Sequence, residues 1–136
     1  MWPVLILAGV GIVVTFGGRT AQPVGQALYQ ANCLNCHQEN GQGVGQLIPA
    51  INDPQRLAEL SAQISCLIRN GIAKQDSVGG YHLMPAHPQL SDIQIMHITN
   101  FVLGEWGEKP TPYSLQQVRD QLDTCAAQSL KSNNGS

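Results

Sequence analysis

The chain has 136 residues, enough for one domain with short appendages. Charged residues make up 12% of the chain and aromatic residues 5%, so a core built from side chains alone would be thin, and a buried cofactor would complete it. Seven Lys and Arg against nine Asp and Glu give a formal net charge of −2, without a basic run. This balance excludes the usual signature of a nucleic-acid-binding protein.

Residues 1–18 form an uncharged, largely apolar segment. A membrane-spanning helix needs about 17 to 25 such residues, so the segment is at the short end of that range. The alternative is a cleaved secretory signal, which begins with basic residues and ends at small ones. No Lys or Arg precedes the apolar run, and Arg19 stands where a cleavage site needs a small residue. We therefore expect an uncleaved transmembrane anchor at 1–18 and a linker at 19–24.

A helix and a reactive pentapeptide follow the linker. Pro23 blocks helix continuation from upstream, and residues 25–33 have helical character. They lead into Cys33-x-x-Cys36-His37, the attachment signature of a c-type haem. Two thiols three residues apart on one helical turn form thioethers to the two vinyl groups of one porphyrin. The adjoining His37 is then carried under the iron as its proximal ligand.

A Cys-x-x-Cys pair also occurs as a redox dithiol or as half of a zinc site. A thioredoxin-like dithiol would need a βαβ setting, and zinc would need a second ligand pair at similar spacing. The remaining cysteines, Cys66 and Cys125, stand alone and far apart. The pentapeptide therefore predicts one haem c, covalently attached through Cys33 and Cys36.

The rest of the chain predicts further helices. Glycines at 41, 43 and 45 break helix and permit tight backbone beside a flat cofactor. Apolar residues at three- and four-residue steps predict helices at 54–70 and 91–106. The prolines of 109–112 precede an extra helix at 114–130, and the polar residues 132–136 are expected to be disordered. Because no strand-like alternation is present, we predict an all-α haem domain at 25–107 and a C-terminal extension at 108–136.

Residues 25–107 resemble class I cytochromes c. The resemblance rests on an ordered set of residues: Gly25 and Tyr29, Cys33-x-x-Cys36-His37, the Gly-x-Gly run, Pro49, Met84-Pro85 and Phe101. It implies the class I fold around one covalent haem, with the carbonyl of Pro49 accepting a hydrogen bond from the proximal imidazole. The helices bearing Gly25 and Phe101 would cross, with the glycine giving space to the aromatic ring.

Met84 is the expected distal ligand of the iron. It lies in a loop-like stretch introduced by Gly79-Gly80. Its soft thioether favours ferrous iron, so His/Met ligation raises the reduction potential. Met96 is an alternative, but it falls inside a helical run. The other candidates are histidines, namely His82, His87 and His97.

Cells that make c-type cytochromes attach the haem outside the cytoplasm, so the resemblance places the domain on the periplasmic side of the cytoplasmic membrane. In such an oxidising compartment, leftover cysteines often form a disulfide. A bond between Cys66 and Cys125 would join the tail helix to the middle helix and stabilise the fold by about 2–4 kcal/mol. The alternative is two buried free thiols.

A His/Met haem has no open position for a substrate, so the resemblance implies a one-electron carrier and not an enzyme. Lys74, Lys109 and Lys131 are the only lysines, which argues against strong electrostatic steering. An anchor would instead hold the domain beside its electron donor and acceptor proteins. We expect a subunit of, or a shuttle between, respiratory or photosynthetic complexes. The alternatives are a gas-binding haem sensor and a structural subunit whose haem is off the electron path.

Overall fold

The computed structural model of the chain describes residues 22–75, 81–108 and 111–133. Its elements in chain order are α1 (Pro23–Asn32), α2 (Leu34–His37), α3 (Pro54–Leu60), α4 (Ile64–Asn70), β1 (Ile72–Gln75), β2 (Tyr81–Met84), α5 (Asp92–Glu105) and α6 (Leu115–Asn133). The predicted anchor at 1–18 and the first half of the linker lie outside the described residues. Within those ranges, no helix has both the length and the apolar character needed to cross a bilayer.

Helix α1 begins at Pro23, two residues before its predicted start. Proline is suited to the first helical turn, where its missing N–H would have no intrahelical acceptor. The Gln26 amide already donates to the Gln22 carbonyl at 2.9 Å. Pro23 and the next residue, predicted as the end of a linker, are therefore the start of the helix.

Helix α5 forms the centre of the core and crosses α1 at Gly25. It begins at a capping box in which the Ser91 and Gln94 side chains each accept from the other's backbone N–H. A Cβ atom at Gly25 would collide with the His97 carbonyl oxygen and lie 2.7 Å from Phe101 Cβ. The predicted crossing of these helices, with the glycine leaving space for Phe101, is confirmed.

The region 54–70 is helical, but it forms two helices, α3 and α4, and not the single helix that was predicted. At the break the Ser61 hydroxyl donates to the Ala58 carbonyl at 2.9 Å. The Gln63 amide donates to the Leu60 carbonyl, three residues back, at 2.7 Å. These local bonds replace the regular four-residue ladder and end α3 one turn before α4 begins.

The described residues also contain two strands, which corrects the prediction that strands are absent. β1 and β2 pair antiparallel, with Ile72 opposite Met84 and Gln75 opposite Tyr81. Gly71 adopts φ 70°, and the Met84 carbonyl occupies the space in which a side chain would lie. The strands read Ile-Ala-Lys-Gln and Tyr-His-Leu-Met, and neither shows the strict alternation of apolar and polar residues by which a strand is predicted.

Helix α6 packs on α4 and α5. Ser114 and Gln117 cap its start, with the Ser114 amide donating to Gln117 Oε1 at 2.9 Å. Val118 is fully buried in the common core. The helix continues to Asn133, so residues 132 and 133 are helical and not disordered as predicted; residues 134–136 lie outside the described ranges.

A disulfide joins Cys66 of α4 to Cys125 of α6, with the two Cα atoms 6.1 Å apart. This is the pairing that the sequence analysis favoured over two buried free thiols. The bond closes a separation of 59 residues and holds α6 against α4.

Candidate haem site

The pentapeptide forms a tight turn between α1 and α2. The Cys33 amide donates to the Tyr29 carbonyl at 2.8 Å, and the His37 amide donates to the Cys33 carbonyl at 2.9 Å. Cys33 thus closes α1 and opens α2. Both Cys33 and Cys36 are free thiols, the first half-buried and the second exposed. Two unpaired thiols on one turn are the arrangement that thioether attachment to a single porphyrin requires.

The electrostatics of Cys33 argue against a redox dithiol. Burial, reinforced by the neighbouring Cys36, raises the pKa of the Cys33 thiol to about 11. A thioredoxin-like cysteine needs the opposite shift, because its thiolate is the nucleophile. At neutral pH Cys33 is therefore a protonated thiol rather than a reactive one.

His37 is half-buried at the end of α2. Burial lowers the pKa of its imidazole, so the neutral ring, with a lone pair for a metal, is the favoured form. Its Nδ1 atom is buried and has no hydrogen-bond partner among the described residues. An unpaired buried imidazole nitrogen next to two free thiols fits a covalently attached haem c.

The contact that the resemblance implied, from the His37 imidazole to the Pro49 carbonyl, stays a prediction. In the structure His37 Nδ1 has no hydrogen-bond partner among the described residues. The Pro49 backbone lies against Gly43, where a Cβ atom would be 3.0 Å from the Pro49 carbonyl carbon. Gly43 in turn donates its amide to the His37 carbonyl at 3.0 Å, so Pro49 remains close to the backbone of the pentapeptide.

Met84 lies at the end of β2 rather than in a loop. It is half-buried and packs against the same core cluster as Cys33 and Leu34. Its backbone is held by pairing with Ile72 and by the close approach of Gly71. The Met84 thioether is therefore carried on a strand with a defined register.

The alternative ligands lie on other elements or in other contacts. Met96 is half-buried against the same core cluster as Met84 but lies on α5. His97 is on α5 as well, with its carbonyl against Gly25. His87 Nδ1 lies 3.2 Å from Gln89 Nε2. For His82 the structure describes only the backbone, which pairs with Lys74.

Two aromatic residues contribute to the site in a way that the sequence analysis missed. The Tyr29 hydroxyl donates to the Gln38 carbonyl at 2.7 Å, directly after the pentapeptide. Its ring centroid is 5.4 Å from those of Phe101 and Trp106. Trp106 also faces Gly41, where a Cβ atom would be 3.3 Å from the indole ring. The one feature of the sequence that could have indicated this hydrogen bond is the hydroxyl of Tyr29, one helical turn before Cys33.

Comparison with known proteins identifies a family and a relative. The family model described as Cytochrome c matches residues 24–106 of the chain. Cytochrome c-552 of Thermus thermophilus is 27% identical over 117 residues, which cover 76% of this chain and 77% of the Thermus protein.

Proposed function

The chain belongs to the cytochrome c family, and from this premise we propose that it carries single electrons between redox proteins, with His37 and Met84 as the two iron ligands. Family membership implies one c-type haem, covalently attached through cysteines, and a haem-based electron carrier. Proteins of this family are generally electron carriers, which fits a chain that is not itself an enzyme.

The observation that carries this proposal is the turn at the pentapeptide. Cys33 and Cys36 would hold the haem, and the neutral His37 ring would bind its iron. Met84, on a strand of defined register, would supply a thioether as the second ligand. The haem supplies one-electron oxidation and reduction at its iron. Ligands carried on hydrogen-bonded backbone would keep their positions in both oxidation states, which would limit rearrangement when an electron is transferred.

Substituting Met84 tests the ligand assignment. In the Met84→Ala holoprotein we expect carbon monoxide to change the ferrous absorption spectrum and the reduction potential to fall, because the soft ligand that favours ferrous iron is gone. Met96→Ala is the matched control, since it removes a half-buried methionine from α5. It should leave both properties unchanged. A wild-type ferrous protein that binds carbon monoxide would favour a gas sensor instead, and an unchanged Met84→Ala potential would remove Met84 from the site.

We further propose that residues 1–18 tether the haem domain to the cytoplasmic membrane, on its periplasmic side. The uncharged apolar run supports this tether, and haem attachment outside the cytoplasm supports the side. A tether raises the local concentration of the domain beside a membrane partner without any charged docking face. The domain would then be a subunit of a respiratory or photosynthetic complex, or a shuttle between two of them.

Gentle detergent extraction of native membranes, followed by size separation, tests the tether. We expect the chain and its haem absorbance to remain with the membranes until detergent is added. Co-migration with a large assembly would identify a fixed subunit, and migration alone would identify a tethered shuttle. A variant lacking residues 1–18, exported by a cleavable signal, is the control and should appear in the soluble periplasmic fraction. Release of the full chain by a salt wash would contradict the tether.

A further inference from the structure

Gln38, the residue directly after His37, has an unusual backbone conformation. Its dihedral angles are φ 65° and ψ 169°, and among the described residues it alone combines a positive φ with a side chain. This region is almost restricted to glycine, and a residue remains there only when its surroundings hold it. Strain of this kind next to an iron ligand raises the question of what holds it.

Three hydrogen bonds hold the Gln38 backbone. Its amide donates to the Leu34 carbonyl at 2.8 Å, and its carbonyl accepts from the Gly41 amide at 3.2 Å. The shortest bond comes from the Tyr29 hydroxyl, which donates to the same carbonyl at 2.7 Å. The first two bonds are local to the turn, so Tyr29 provides the only one of the three that comes from a different helix.

Tyr29 is itself immobilised. Its side chain is 2% exposed, and its ring packs against Phe101 and Trp106 at the crossing of α1 and α5. A hydroxyl on a ring held in this way is fixed relative to the core. It therefore connects the Gln38 carbonyl to the buried crossing of α1 and α5.

We propose that the Tyr29 hydroxyl is a positioning group for the iron ligand His37. By holding Gln38 in its strained conformation, the hydroxyl fixes the backbone directly after the histidine and so orients the imidazole. The Gly43 amide also donates a hydrogen bond to the His37 carbonyl, which restrains the same stretch of backbone. The inference rests on the proposed function in one respect, the assignment of His37 as an axial ligand.

The Tyr29→Phe holoprotein is the first test, because it keeps the ring contacts and removes only the hydroxyl. A less constrained imidazole donates less well to iron, and ferric iron depends more on that donation than ferrous iron does. We expect the ferrous-to-ferric ratio at a fixed ambient potential to rise at least three-fold, a potential increase of about 28 mV for one electron. Amide exchange at Gly41 should accelerate, and the haem-methyl NMR shifts of the ferric protein should change.

Substitutions at Gln38 separate the strain from its side-chain bond. Glycine adopts this backbone region without strain, so in a Gln38→Gly background the further change Tyr29→Phe should shift the potential much less. Gln38→Ala is the matched control: it loses the bond from Gln38 Nε2 to the Asn35 carbonyl but keeps the strain. In that background the full effect of Tyr29→Phe should remain.

Thr99→Val controls for general loosening, because it removes a buried hydroxyl that lies 3.4 Å from that of Ser65. The proposal is overturned if Tyr29→Phe changes stability but not potential and NMR shifts, or if Thr99→Val shifts the potential equally. If Tyr29→Phe yields no holoprotein, recovery in the Gln38→Gly double variant supports the proposal and no recovery overturns it. The positioning role of Tyr29 is judged from differences between each variant and the wild type. The electron-carrier proposal is contradicted by the wild-type protein alone, if its ferrous form binds carbon monoxide. The two failures are therefore distinguishable.

Discussion

Gly25 and Gly104 are two helical glycines with opposite surroundings. A Cβ atom at Gly25 would overlap the backbone of α5, whereas one at Gly104 would meet only Gln22 Nε2, at 3.9 Å. Glycine is therefore required at the first position for close approach of two helices. At the second it only weakens α5, because glycine loses more conformational entropy on folding than alanine does.

Matched alanine substitutions should have effects of opposite sign. Gly25→Ala should lower the free energy of unfolding by about 1–3 kcal/mol, because backbone of α5 must move to admit the methyl group. Gly104→Ala should raise it by about 0.4–1 kcal/mol. Denaturant unfolding of the holoproteins, followed by circular dichroism and haem absorbance, measures both. Equal effects at the two positions would contradict the crossing described for α1 and α5.

Among the elements, α6 is attached to the haem domain by several independent contacts. Asn100 of α5 binds the backbone of Tyr113 twice, donating to its carbonyl at 2.8 Å and accepting from its amide at 2.7 Å. Asp92 accepts from Arg69 of α4 at 2.7 Å and from Arg119 of α6 at 3.4 Å. Together with the disulfide, these contacts make α6 part of the packed unit rather than a loose tail.

Removing the disulfide should weaken this attachment. We expect the double substitution Cys66→Ser and Cys125→Ser to lower the free energy of unfolding by about 2–4 kcal/mol, because the unfolded chain gains freedom. The reduction potential should change little, since the pentapeptide is not involved. Thiol labelling of the unfolded, unreduced holoprotein provides the direct check. Two labelled cysteines would show that the bond is absent from the purified protein.

At the scale of the whole molecule, the chain has little charge with which to attract a partner. Only three lysines are present in 136 residues. Among the described residues, the most exposed large apolar side chains are Leu47, at 75%, and Leu83, at 66%. Leu47 is two residues before Pro49, and Leu83 is adjacent to Met84, so both are near the candidate site in sequence.

Electron transfer to a soluble acceptor should therefore depend weakly on salt. We expect the second-order rate constant to change by less than about three-fold between low and physiological ionic strength, because steering by a charged face is weak. Stopped-flow kinetics measures this dependence. Leu83→Lys is the informative variant and Leu83→Ala its control, since a new charge beside Met84 should introduce a salt dependence that alanine does not. A steep salt dependence of the wild-type rate would contradict the expectation.

The covalent chemistry and the main helices could be predicted from the sequence. Cys33, Cys36 and His37 lie within five consecutive residues, so their spacing alone indicates one haem c. The periodicity of residues 91–106 predicts α5 to within a residue at each end. The anchor at 1–18 and the axial role of Met84 stay predictions. Signals of this kind are local, because the participating residues lie within a few turns of each other.

Only the folded structure decided the rest, because those features depend on particular hydrogen bonds and contacts that apolar periodicity does not record. The break between α3 and α4 comes from local bonds that compete with a continuous apolar pattern. The pairing of β1 with β2 depends on Gly71 admitting the Met84 backbone. The bond from Tyr29 to Gln38 joins residues nine apart across a helix end, and the contact from Asn100 to Tyr113 crosses a proline-containing connection. The sequence by itself determined which cofactor the chain carries, whereas the folded chain determined which hydrogen bonds surround Gln38, the residue that follows the candidate iron ligand.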